Sequence, residues 1–180
     1  MNAADLPRPE LTPDGDDWVV VIRRTLPQTP QQVWTALTAA EDLRQWAPFS
    51  PDRDLASVGP VQLTDRGVPN PETHSSTIEE AVAPTLLVIA WGSDRLRWEL
   101  AAKGDGTLLT LRHRFADKPW VGSYAAGWHL CLAALAALLD GNPTPSVVGE
   151  NAFKHGYQAL ADGYAELLGV APPERQGAAG

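Results

Sequence analysis

Residues 18–49 read WVVVIRRTLPQTPQQVWTALTAAEDLRQWAPF, and the hydrophobic period changes within them. Trp18, Val20 and Ile22 alternate with Val19, Val21 and Arg23, the period-two pattern of a strand whose outer side is apolar enough to expect cover. Thr29-Pro30-Gln31-Gln32 then supplies an N-cap, a proline at the first helical position and a capping-box glutamine, so a helix carrying Val33, Trp34 and Leu37 is predicted. Thr38-Ala39-Ala40-Glu41 repeats the capping pattern and predicts a second short helix through Leu43 and Trp46. That helix stops before Pro48, because a residue preceding proline is pushed out of helical geometry.

From about residue 55 to 116 the chain reads as a meander of strands. Asp105-Gly106 is a favoured two-residue turn, and closing a hairpin on it pairs Gly104 with Thr107. Ala102 then faces Leu109, Leu100 faces Leu111, Trp98 faces His113 and Leu96 faces Phe115, all on one side of the sheet. On the other side Glu99 meets Arg112, which supports the register, and Arg97 meets Arg114, which opposes it. The run LLVIAW at 86–91 places Leu87, Ile89 and Trp91 beside Leu100, Trp98 and Leu96 through Gly92-Ser93-Asp94. Weaker strands are expected near 56–64 and 75–83, where Glu79 and Glu80 point to opposite faces.

After Pro119, Trp128, Leu132, Leu135 and Leu139 form an apolar stripe on a long helix ending at Gly141. Phe153, Tyr157, Leu160, Tyr164 and Leu167 or Leu168 extend a second one to Gly169. The proline-rich, acidic residues 1–16 and the segment 171–180 read as flexible tails around a single domain at 17–170.

Composition narrows the function. The chain has 180 residues and a net charge of −8, and its basic residues do not cluster, so nucleic acid is not an expected partner. No unbroken apolar run reaches the roughly 18 residues of a membrane span, so no membrane insertion is expected. The N-terminus lacks the basic start and apolar stretch of a secretory leader, and Cys131 is the one cysteine; both agree with a soluble protein in a reducing cytoplasm. His74, His113, His129 and His155 lie far apart, so no metal is expected. The phosphate-loop, dinucleotide and Gly-x-Ser-x-Gly motifs are absent, and no cofactor is expected.

The order strand, two short helices, antiparallel meander, long helix resembles the Bet v 1-like and START-like (SRPBCC) superfamily of helix-grip proteins. Residues 19–49, with their "polar-x-Pro-x-x-Val-Trp" helix start, look like the opening signature of its Hsp90-ATPase-activator-homologue branch; GWHLCLAALAALLDG resembles its closing signature, and YAELLG is similar to its tail. The resemblance implies an α+β fold in which a curved antiparallel sheet wraps a long C-terminal helix. Members include ligand carriers, cyclases, hydrolases and chaperone regulators, so the fold does not fix the chemistry.

In such a fold Trp46, Ile89, Trp91, Trp98, His113, Phe115 and Trp128 are the candidate ligand-binding residues. Each has a plainer role open to it: the tryptophans as core filling, His113 as a satisfied core histidine with no carboxylate beside it in the expected register. His129 faces either the cavity rim or solvent, and Asp117, Lys118 and Trp120 border the cavity mouth in proteins resembling this one. Three functions follow: binding of a small apolar or aromatic molecule, regulation of an Hsp90-type chaperone through the outer surface, or a cyclase or hydrolase using His113. No nucleophile is identifiable for the last, and the oligomeric state stays open.

Overall fold

The computed structural model describes residues 8–173. Eight strands form one antiparallel sheet: β1 (Glu10–Asp14), β2 (Asp17–Leu26), β3 (Phe49–Pro51), β4 (Gly59–Asp65), β5 (Thr73–Val82), β6 (Leu86–Trp91), β7 (Asp94–Lys103) and β8 (Gly106–Phe115), in spatial order β1-β2-β8-β7-β6-β5-β4-β3. Helices α1 (Pro30–Thr38) and α2 (Ala40–Trp46) carry the chain from β2 to the far edge, and α3 (Val121–Leu139) lies in the sheet's concave face. This is the α+β helix-grip architecture the resemblance implies. Two further helices, α4 (Asn151–Lys154) and α5 (Tyr157–Leu168), complete it, with α5 packed on α3.

Local signals explain the opening. The Thr29 side chain accepts from the Gln32 N–H while the Gln32 side chain accepts from Thr29, closing the capping box at α1. The second capping box does not form. Thr38 instead donates to the Trp34 carbonyl at 2.8 Å, and the start of α2 is capped from afar by Asp54, which accepts from the Ala40 N–H at 2.8 Å.

Three hairpins turn on two residues, Gly15-Asp16, Gly92-Ser93 and Gly104-Asp105, each with a positive φ at the glycine alone, the signature of type II′ turns. The turn is therefore Gly104-Asp105 and not Asp105-Gly106. Gly106 is small for another reason: a Cβ there would run into the Leu26 carbonyl of β2. The register shifts by two residues from the expected one, so Trp98 pairs with Leu111, Leu96 with His113 and Arg97 with Arg112. Leu87 likewise pairs with Trp98 and Ile89 with Leu96. A shift of two preserves every residue's face.

Other expectations are corrected. Residues 10–14, read as part of a flexible tail, form the edge strand β1, whereas 1–7 and 174–180 lie outside the described residues. The apolar outer side of β2, by contrast, has the expected cover at Val21, which is 2% exposed and flanked by Glu10 and Arg112 on the neighbouring strands. Ion pairs cover this side of the sheet, Arg23–Glu10 at 2.7 Å, Arg112–Glu99 at 3.0 Å and Arg114–Asp17 at 2.8 Å. A bulge between Ile78 and Glu80 turns both Glu79 and Glu80 to that side, where they meet Arg95 and Arg97. The second C-terminal helix is broken at Gly156, whose φ is +79°, so Phe153 leaves the packed stripe and is 62% exposed.

Helix α3 is apolar nearly all round because it is covered twice, by the sheet and by α5. Gly122 lets the helices approach so closely that a Cβ there would run into the Ala161 carbonyl and Ala165. Lys118–Leu139 is long and apolar enough to cross a membrane by length and composition, but here it is the core helix, with 61% of its most apolar window buried in the fold.

Candidate functional site

On the concave face, His113 of β8 is fully buried and both ring nitrogens are engaged. The Trp128 indole N–H from α3 donates to His113 Nδ1 at 3.0 Å, and His113 Nε2 lies 2.8 Å from Asp94 Oδ2. An indole nitrogen only donates, so Nδ1 accepts and Nε2 carries the proton toward the carboxylate. The expectation that His113 lacks a carboxylate partner is thus wrong: Asp94 opens β7 beside the Gly92-Ser93 turn, and the two-residue shift brings it alongside.

Around this chain the aromatic rings interlock. Trp98 packs edge-on against Trp46 at 5.9 Å and Trp128 at 5.3 Å, and Phe115 packs against Tyr124 at 4.8 Å. Trp46 also donates its N–H to the Ala36 carbonyl at 2.9 Å. Between the middle of the sheet and α3, then, Trp46, Ile89, Trp98, His113 and Phe115 fill space rather than enclose it.

A cavity of about 450 Å³ lies to one side, partly open to solvent. Of the seven residues expected to bind a ligand, Trp91 and Trp128 line it. Tyr124, Gly127 and Cys131 from α3, Val147 and Val148 from the α3–α4 loop, and Val68 from the β4–β5 loop complete most of its wall. The two loops are locked together over it. Glu150 N–H donates to the Gly67 carbonyl at 2.9 Å, and a Cβ on either Gly67 or Gly149 would collide with the opposite backbone.

Gly127 is the signal the sequence reading passed over. Glycine costs about 1 kcal/mol relative to alanine inside a helix, yet Gly127 sits mid-helix with nothing within 4 Å of where its Cβ would stand. That open space is the cavity. The loop residues 147–150 have no periodicity and could be found only from the fold.

Burial pushes the Tyr124 hydroxyl up to about 12, with Asp94 and Asp117 adding to the shift. Burial likewise pushes the Cys131 thiol up to about 12 against a smaller opposing influence of Arg66, so Cys131 is a protonated wall residue and not a nucleophile. Native protein at pH 8 should therefore resist alkylation by iodoacetamide and react at one site per chain only after denaturation, measured by mass spectrometry; rapid labelling of the native state would contradict this.

His129 faces neither rim nor solvent. It is buried between α3 and α5, 2.8 Å from the Tyr164 hydroxyl. Lys118 stacks over Trp18 at 3.9 Å, and Trp120 belongs to a separate groove along α3 and α5. Among the described residues no group of three or more His, Cys, Asp or Glu side chains is arranged to hold a metal.

Comparison with known proteins follows the same lines. The family model described as "Activator of Hsp90 ATPase homolog 1-like protein" matches residues 27–140. No curated protein matches the chain. Among solved structures, the conserved protein of unknown function EF2215 from Enterococcus faecalis superposes with a TM-score of 0.70 at 15% identity, covering 90% of this chain and 91% of that one. CalU16 from Micromonospora echinospora superposes with a TM-score of 0.65 at 21% identity over 90% and 99% of the two chains. DynU16, from the dynemicin biosynthetic locus, gives 0.63 at 20% identity over 77% of this chain and 52% of that one. At these identities the likeness is one of fold.

Proposed function

Given that the chain belongs to the family described as Activator of Hsp90 ATPase homolog 1-like protein, within the START-like superfamily, we propose that it binds a small apolar or aromatic molecule in the cavity beside α3. The observation that carries this reading is the half-open space of about 450 Å³ walled by Trp91, Tyr124, Trp128 and Val148, a size within the roughly 300–1,000 Å³ range of small-molecule sites. His113 supports the wall and does not meet the ligand, since it is fully buried with both nitrogens taken up by Trp128 and Asp94.

Gly127→Leu tests the reading. A leucine there projects into the open space and replaces a glycine inside a helix, so folding stability should hold or rise by about 1 kcal/mol. Binding of N-phenyl-1-naphthylamine, followed by its fluorescence, should be in the micromolar range for the native chain and fall at least about tenfold in the variant, a loss of about 1.4 kcal/mol. Equal binding by a folded Gly127→Leu protein would place the probe elsewhere and sink the proposal.

A further inference from the structure

We propose that the cavity is selective for cations, its ligand being an aromatic or apolar amine rather than an acid. The proposal rests on the binding reading above and adds the sign of the ligand's charge. Three observations on different elements carry it.

The first is the wall itself. Trp91, Tyr124, Trp128, Phe153 and Tyr157 give it five aromatic rings, and ring faces attract ammonium groups and repel carboxylates. The second is Glu150, the one charged side chain in the lining. It is exposed at the mouth, its backbone held by the bond to Gly67, and its carboxylate has no hydrogen-bond or ion-pair partner among the described residues. The carboxylates on the outer side of the sheet are mostly taken up by arginines, whereas Glu150, in the α3–α4 loop, leaves its charge free at the cavity entrance.

The third lies behind the wall. Asp94 and Asp117 both place negative potential at Tyr124, and Asp94 is held by the N–H of His113 rather than by an arginine or lysine. Arg66 opposes this field at Cys131; it stands outside the lining, where its guanidinium donates to the Ala47 and Leu43 carbonyls at 2.6 and 3.5 Å. Lys154, beside Phe153, donates to Asn151 at 2.9 Å. No cation stands in the wall itself, and the chain's net charge of −8 adds to the field an approaching amine meets.

Three ligands with one apolar body separate the cases: 1-naphthylmethylamine, 1-naphthalenemethanol and 1-naphthoate, titrated calorimetrically into the full chain at pH 7 and low salt. The amine should bind at least about tenfold more tightly than the acid, with the alcohol between them. Glu150→Gln should reduce the amine-to-alcohol affinity ratio by about threefold, the scale of one exposed carboxylate. Acid binding as tight as amine binding, or a ratio unmoved by Glu150→Gln, would overturn the proposal while the alcohol's binding left the cavity reading standing. Failure of all three to bind would overturn both.

Discussion

Replacing His113 with alanine should cost about 4 kcal/mol of folding stability, read from urea denaturation. Two losses combine. Removing a fully buried ring leaves a void among Trp91, Phe115, Tyr124 and Trp128, whose rings lie within 4.6 to 6.1 Å of it, a cost of about 2–4 kcal/mol for large-to-small core changes. The Trp128 N–H, 3.0 Å from His113 in the native protein, also loses its acceptor, which adds about 1–3 kcal/mol for an unsatisfied buried donor. His113→Phe separates the two by restoring volume without the acceptor. It should recover part of the stability and still shift the Trp128 indole proton resonance upfield. Asp94→Asn should cost less, because the Asp94 side chain is 16% exposed and water can replace part of what it gives. A loss under about 1 kcal/mol for His113→Ala would contradict the packing described.

The second large effect concerns the glycines over the cavity. Gly149→Ala should cost about 3 kcal/mol and loosen the loops that hold Val147 and Val148 in place. Gly149 has a φ of +59° and its Cβ position is occupied by the Gly67 carbonyl, while Gly67, at +74°, faces the Val148 carbonyl in return. Neither obstacle is a flexible side chain that could swing aside, so the loops must part, and the Glu150–Gly67 bond parts with them. Gly141→Ala is the matched comparison: its φ is +76° with nothing within 4 Å of the Cβ position, leaving only the left-handed backbone penalty of about 1 kcal/mol. Equal losses at the two positions would show that the loop contact contributes nothing.

The fold was legible because its strongest signals are local: the Thr29 capping box, the alternation in β2 and the glycine after α5 each act over a few residues. The faces were legible for a different reason. Side chains alternate with period two, so both misread hairpins slipped by an even number and kept Trp91, Trp98, His113 and Phe115 on the concave side. What the slip concealed was partnership, and with it the Asp94–His113 contact. Gly106 misled because its smallness serves the close approach of Leu26 and not the turn.

The cavity was harder to read than the fold. Tryptophans on an inward face either line space or fill it, and which they do depends on rings from three elements meeting. Trp46 of α2, Trp98 of β7 and Trp128 of α3 lock edge to face and leave no room between them. The space opens instead where α3 carries Gly127 and the wall is finished by loops, whose residues follow no period. Strand β1 escaped notice because five mostly exposed residues on an edge carry no alternation to detect.

Ligand is expected to enter beside α3 and not between the middle of the sheet and the helix. The seven tryptophan indole N–H resonances report this most directly, followed by NMR as 1-naphthalenemethanol is titrated into uniformly ¹⁵N-labelled protein. Trp91 and Trp128 line the cavity, and Trp34 and Trp46 are buried away from it, so saturable shifts are expected at the first two with none at the second two. Saturable shifts at Trp46 without Trp91, or no saturable shift at any indole, would contradict the account.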